Sequence, residues 1–146
     1  MILRNRLEGI AKVINVDCLH GNCGNFAVAL GNILGIHVYG VVYENGGFGN
    51  EGEPAHVALK IGGYKYIDAD GLLTKRELRD WGFNEAFPED SNSIEVVDVG
   101  GYADLGDPKY SFREIYDEKI THSIEAALRT HPRELQTFLR KAGLMR

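Results

Sequence analysis

Hydrophobic and polar positions follow two periods along this chain, and the change from one to the other marks its elements. Phe26, Leu30, Ile33 and Leu34 recur at i, i+4, i+7 and i+8, which predicts a helix with Asn22 as its N-cap and Gly35 as its stop. Ile2, Leu3, Leu7, Ile10, Val13 and Ile14 are close to helical spacing and predict a short N-terminal helix, followed by a loop from Asn15 to Asn22. The stretch from His37 to Tyr43 is rich in β-branched and aromatic residues and reads as a strand. Pro54 to Gly71 reads as two strands joined at Gly62-Gly63, and Ile94 to Val99 as a further strand. Between them Thr74 and Glu77 form a capping-box pattern that opens a short helix to Trp81. Phe112, Ile115, Tyr116, Ile120, Ile124 and Leu128 predict a helix from about Ser111 to Arg129. Pro132 suits the first turn of a last helix, which runs through Leu135, Phe138 and Leu139 and is ended by Gly143.

These elements predict an α+β fold: a Cys-bearing helix packed on a small antiparallel sheet, with additional C-terminal helices. A chain of 146 residues is long enough for one domain with a real core, so residues 1–146 are read as one. Its chemistry is expected in about residues 15–71 and its C-terminal helical part in about 111–146. No apolar run approaches the ~20 residues that span a bilayer, and no apolar segment of signal-peptide type follows the basic N-terminus. The expectation is a soluble, cytoplasmic protein with no membrane association. A net charge of -5 argues against general nucleic-acid binding, which needs a basic face. Charge also shifts along the chain, acidic from Glu77 to Glu118 and basic from Lys119 to Arg146. Solvated faces account for this, although the C-terminal helices could meet a protein partner.

Cys23 falls at the point where a turn-rich segment becomes a helix. Unpaired N–H groups and the positive end of the helix dipole favour a thiolate there. His56 opens the first strand of the hairpin, and Asp68 and Asp70 close the second, so the fold brings the histidine near a carboxylate. Side chains alternate along a strand, and loop length therefore decides which aspartate it is. A two-residue turn at Gly62-Gly63 would put both on the wrong face. A three-residue loop from Ile61 to Gly63 sets His56 opposite Asp68, and one from Gly62 to Tyr64 sets it opposite Asp70. Asp68 is favoured, with His56, Ala58, Tyr66 and Asp68 as the helix-facing row, and Asp70 beside Gly71 is the alternative orienter and a turn residue.

Helix-start Cys, strand-start His and adjacent-strand Asp, in this order from about Asn15 to Gly71, resemble the papain-like cysteine hydrolase superfamily, closest to its transglutaminase-like and NlpC/P60-like branches. The resemblance implies thiol-dependent acyl transfer on an amide or ester bond of a peptide, a protein side chain or another acyl substrate. Cys23 would be the nucleophile, His56 the base and Asp68 its orienter, with the Cys23 backbone N–H and Asn22 as oxyanion candidates. No cofactor is needed.

Plainer readings exist for each residue. A cysteine on a helix's inner face is commonly a small buried hydrophobe, and the same scaffold could serve as a catalytically inactive interaction or inhibitor protein. Cys18, His20 and Cys23 could instead start a zinc module, with His37 or His56 recruited by the fold, although no second half-site follows. A Cys18–Cys23 disulfide is disfavoured inside the cell. The glycines between Glu44 and Pro54 make a flexible connection, or a lip beside the site. His122 and His131 read as surface residues, and the lack of a lysine after Gly21-Asn22-Cys23-Gly24 leaves no phosphate-binding loop there.

Overall fold

The computed structural model describes residues 10, 23–44, 56–69, 71–81, 94–100 and 117–144. Their elements, in chain order, are α1 (Cys23–Leu34), β1 (Val38–Glu44), β2 (His56–Gly62), β3 (Lys65–Asp68), β4 (Gly71–Thr74), α2 (Lys75–Trp81), β5 (Ile94–Gly100), α3 (Glu118–Arg129) and α4 (Pro132–Lys141). The strands form one sheet in the order β4-β3-β2-β1-β5, antiparallel at every pairing. The fold is α+β, and the Cys-bearing helix packs against the sheet with the C-terminal helices beside it.

Helix α1 ends where its glycine allows it to. Gly35 adopts φ 72°, and the Ile36 N–H donates to the Gly31 carbonyl at 3.0 Å, closing the last turn in the manner of a Schellman motif. Every residue from Cys23 to Gly31 is buried. The helix lies between the sheet and the pair α3 and α4, so a one-sided apolar stripe understates its burial. Phe26 and Leu30 each contribute about 1.5–3 kcal/mol through burial.

The two faces of the sheet carry different cores. Tyr39, Val41, Val57, Leu59, Ile67 and Val99 pack with α1, α3 and α4. Val42, Ala58, Tyr66 and Leu73 pack with Leu78 of α2. The row expected to face the Cys helix, with Ala58 and Tyr66 in it, therefore belongs to the α2 side. Strand alternation fixes which residues share a face, but the placement of α1 fixes which face it covers.

On the α2 side the Tyr66 ring lies against Gly40 and reaches Asp98 on β5. Its hydroxyl donates to Asp98 Oδ1 at 2.7 Å, while Lys60 Nζ donates to Asp98 Oδ2 at 2.6 Å. Small residues at 40 and 58 give the ring its passage across two strands.

Local signals hold at most element ends. Thr74 Oγ1 accepts from the Glu77 N–H at 3.1 Å and Glu77 Oε1 accepts from the Thr74 N–H at 3.0 Å, a complete capping box. Pro132 sits in the first turn of α4, and Gly143, at φ 77°, ends it. Two expectations need correction. Gly71 begins strand β4 and pairs with Asp68; a four-residue strand has too few positions to show a period. Helix α3 starts at Glu118, because Asp117 is extended and caps it. Of residues 1–14 only Ile10 is described. It sits at a bend and donates its N–H to the Ala69 carbonyl at 2.9 Å, so the predicted N-terminal helix otherwise lies outside the described residues. The glycine-rich segment after Glu44 also lies outside them.

Candidate active site

The β2–β3 hairpin turns at Gly63 and Tyr64, closed by the pair Gly62 and Lys65. Gly62 and Gly63 have φ 150° and 48°, values that side-chain-bearing residues rarely adopt. A two-residue turn alone would give the wrong parity. The register shift between Lys60 and Gly62 leaves Ile61 as an extra residue, and the ladder then continues as Lys60 with Tyr66 and Leu59 with Ile67. Continued by one pair, that register sets Asp68 level with Ala58, two residues along β2 from His56. The expected register, with Asp68 directly opposite His56, is corrected by two residues, because the bulge lies at Ile61 and not within the turn. Asp68 still shares the face of His56 and reaches it diagonally.

The reach is short: His56 Nε2 and Asp68 Oδ2 are 2.9 Å apart. Asp68 Oδ1 accepts from the Gly71 N–H at 3.1 Å, which fixes the carboxylate at the start of β4. Cys23 comes from the other side. Its sulfur lies beside the His56 side chain and the backbone of Val57 and Gly24, all of which favour the thiolate. The first turn of α1 and the first two residues of β2 therefore meet at the thiol. The three side chains are deeply placed, with Cys23 5 %, His56 0 % and Asp68 2 % exposed.

Burial opposes ionisation of the thiol, but the hydrogen bond and charge of His56, together with the Val57 and Gly24 N–H groups, outweigh it and hold Cys23 below its ordinary value of 9.0. Burial likewise works against a charged imidazole. Hydrogen bonds to Asp68 and Cys23 and the charges of both overcome it and raise His56 to about 9. Thiolate and imidazolium thus favour one another, and the carboxylate stands behind the ring. Such an arrangement supplies a nucleophile and a proton donor in contact.

Comparison with protein families, curated proteins and solved structures found no match. The site is therefore read from its own atoms. Of the residues expected to form it, Cys23, His56 and Asp68 are brought together. Asn22 and Asp70 lie outside the described residues, as do Cys18 and His20 of the zinc reading. Among the described residues no group of three or more His, Cys, Asp or Glu side chains is placed to hold a metal ion. His37 Nδ1 lies 3.1 Å from the Tyr39 hydroxyl. His122 is exposed beside Glu118, whereas His131 is half-buried with Nδ1 2.8 Å from the Ala127 carbonyl.

Two contributors carried no clear signal in the sequence. Val57 acts through its backbone, which any residue shares. Asn25 is the polar residue within the apolar start of α1, and its Oδ1 accepts from the Asp117 N–H at 2.9 Å and from the Thr121 hydroxyl at 3.1 Å. It ties the turn that bears Cys23 to the start of α3.

Proposed function

We propose that this protein is a thiol-dependent acyl-transfer enzyme of the papain-like kind, acting on an amide or ester bond with water as the default acceptor. The observation that carries the reading is the convergence of the buried Cys23 thiol, the His56 imidazole and the Asp68 carboxylate, with His56 Nε2 2.9 Å from Asp68 Oδ2. The Cys23 thiolate adds to the substrate carbonyl carbon. The Cys23 N–H, one of the helix-start donors without an intrahelical partner, faces the developing oxyanion. Because Asp68 occupies Nε2, proton exchange falls to the buried Nδ1 of the same ring. The imidazolium gives its proton to the leaving amine or alcohol, leaving a thioester. Neutral His56 then takes a proton from water, hydroxide releases the acid, and the thiolate–imidazolium pair is restored.

Peptides, protein side-chain amides and other acyl compounds are the substrate class, and the chemistry needs no cofactor. A nucleophilic thiol stays reduced in the cytoplasm, the compartment this reading assigns. Among the described residues no helix is long and apolar enough to cross a membrane.

Limiting iodoacetamide at pH 6, followed by peptide mass spectrometry, tests the pair directly. Cys23 is expected to react well ahead of Cys18, and His56→Ala to slow it at least about tenfold. Equal labelling of both cysteines, unchanged in His56→Ala, would refute the ion pair. A panel of activated acyl esters then separates an enzyme, which forms a thioester on Cys23 and releases acid, from an inert scaffold, which forms none.

A further inference from the structure

Lys60 and Tyr66 are a cross-strand pair of the β2–β3 ladder, and both donate to one carboxylate, Asp98, which stands on β5 beyond the whole width of β1. We propose that Asp98 is a positioning residue for the site: by holding Tyr66 and Lys60 on one face of the sheet, it selects the bulged register in which Asp68 reaches His56. The functional meaning of this clamp rests on the triad read above.

Parity links the clamp to the site. Tyr66 and Asp68 are two residues apart on β3, and His56 and Lys60 four apart on β2, so each pair shares a face. A carboxylate that takes donors from Tyr66 and Lys60 on one face therefore requires Asp68 and His56 to share a face as well. The competing register lacks the extra residue at Ile61. Gly62 would still pair with Lys65, but Ile61 would then pair with Tyr66 and Leu59 with Asp68. Tyr66 and Asp68 would turn together to the other face, away from both Asp98 and His56.

Apolar burial alone does not choose between these registers. Tyr66 and Ile67 are both 0 % exposed, one in each of the two cores of the sheet, so exchanging them keeps an apolar side chain on either face. What the exchange loses is the bond from the Tyr66 hydroxyl to Asp98. A polar contact available in one register only supplies the distinction that the apolar pattern lacks. Burial opposes the charge of Asp98, but hydrogen bonds from Lys60 and Tyr66 and the charges of Lys60 and Lys75 hold it below its ordinary value of 3.8. Gly40 and Ala58 stand level with Asp98 on the two intervening strands and leave the tyrosine ring its path.

Two measurements on the full chain at pH 6 test the clamp. Nuclear Overhauser contacts between the backbones of β2 and β3 report the register whether or not the thiol reacts, and the alkylation rate of Cys23 reports the site. The wild type should show Tyr66 against Lys60. Asp98→Ala should bring in contacts of Tyr66 with Ile61 and slow alkylation at least about tenfold, as the competent register falls to about a tenth of the population. Asp98→Asn keeps an oxygen for the Tyr66 hydroxyl and should return both measurements to near the wild type. Tyr66→Phe preserves the packed ring and should move both in the direction of Asp98→Ala, which decides the matter even where Asp98→Ala does not fold. A merely structural role would lower the melting temperature and leave the register and the alkylation rate of the folded protein unchanged. That result in Asp98→Ala and Tyr66→Phe would overturn the proposal, as would a slipped register with undiminished alkylation. A wild-type Cys23 that reacts no faster than Cys18 would instead refute the triad, and the register contacts would still decide the clamp.

Discussion

Asp68 meets His56 from a diagonal position, level with Ala58 two residues along β2, with 2.9 Å between Oδ2 and Nε2. The single extra residue at Ile61 makes this contact available, since without it the strand faces would be out of phase. The carboxylate is also oriented from behind, by the Gly71 N–H on Oδ1.

That second bond makes Asp68→Asn informative. The Gly71 donor keeps the amide oxygen on its own side and turns the amide N–H₂ toward His56 Nε2, where a donor faces a donor unless the imidazole gives up its proton. The imidazolium is thereby disfavoured. Alkylation of Cys23 at pH 6 should slow at least about tenfold, and turnover of a reporter ester should fall by up to ~10⁴-fold, with a melting temperature close to that of the wild type. An unchanged alkylation rate would show that Asp68 does not hold the charged ring.

The pH dependence of stability has a specific form. His56 is raised from 6.5 to about 9, so its contribution is fully present below 6.5 and lost as pH rises through about 9. Cys23 is lowered from 9.0, so its contribution is present above 9.0 and lost as pH falls through its lowered folded value. The two slopes oppose one another between 6.5 and about 9. Urea unfolding of the wild type should therefore lose less stability between 6.5 and about 9 than Cys23→Ser, in which the opposing slope is absent. A steep fall from pH 7 to 9 would mean that His56 is raised without a thiolate partner.

Gly40→Ala and Gly35→Ala should destabilise for different reasons. At Gly40 a Cβ would lie 2.7 Å from Tyr66 Cδ1 and closer still to Cε1, against a ring held by Asp98. Overpacking there costs about 1–3 kcal/mol. At Gly35 nothing lies within 4 Å of a new Cβ, and the strain of φ 72° costs about 1 kcal/mol. Chemical denaturation of the two variants measures both, and the near-ultraviolet tyrosine signal should move in Gly40→Ala alone.

Asn25→Ala removes the acceptor shared by the Asp117 N–H and the Thr121 hydroxyl. The buried Thr121 hydroxyl and the part-buried Asp117 N–H lose a partner, at a cost of about 1–3 kcal/mol. Hydrogen exchange should accelerate in the first turn of α3, detected at the Asp117 amide. Exchange unchanged there would refute the tie between α3 and the turn that carries Cys23.

The sequence by itself determined whatever short-range chemistry can write. The helix stops at Gly35 and Gly143, the reciprocal cap of Thr74 and Glu77 and the first-turn place of Pro132 each depend on a few adjacent residues, and each is present in the fold. The approach of His56 and Asp68 was also legible, because a hairpin brings its strand ends together, but the parity that lets them touch was not. Tertiary structure alone decided the bulge at Ile61, the side of the sheet that α1 covers, the enclosure of α1 by α3 and α4, and the reach of Tyr66 to Asp98. A strand's alternation labels its two faces without saying which is inner. That choice is made by apolar surfaces brought in from distant parts of the chain, whose burial is favourable only once they meet.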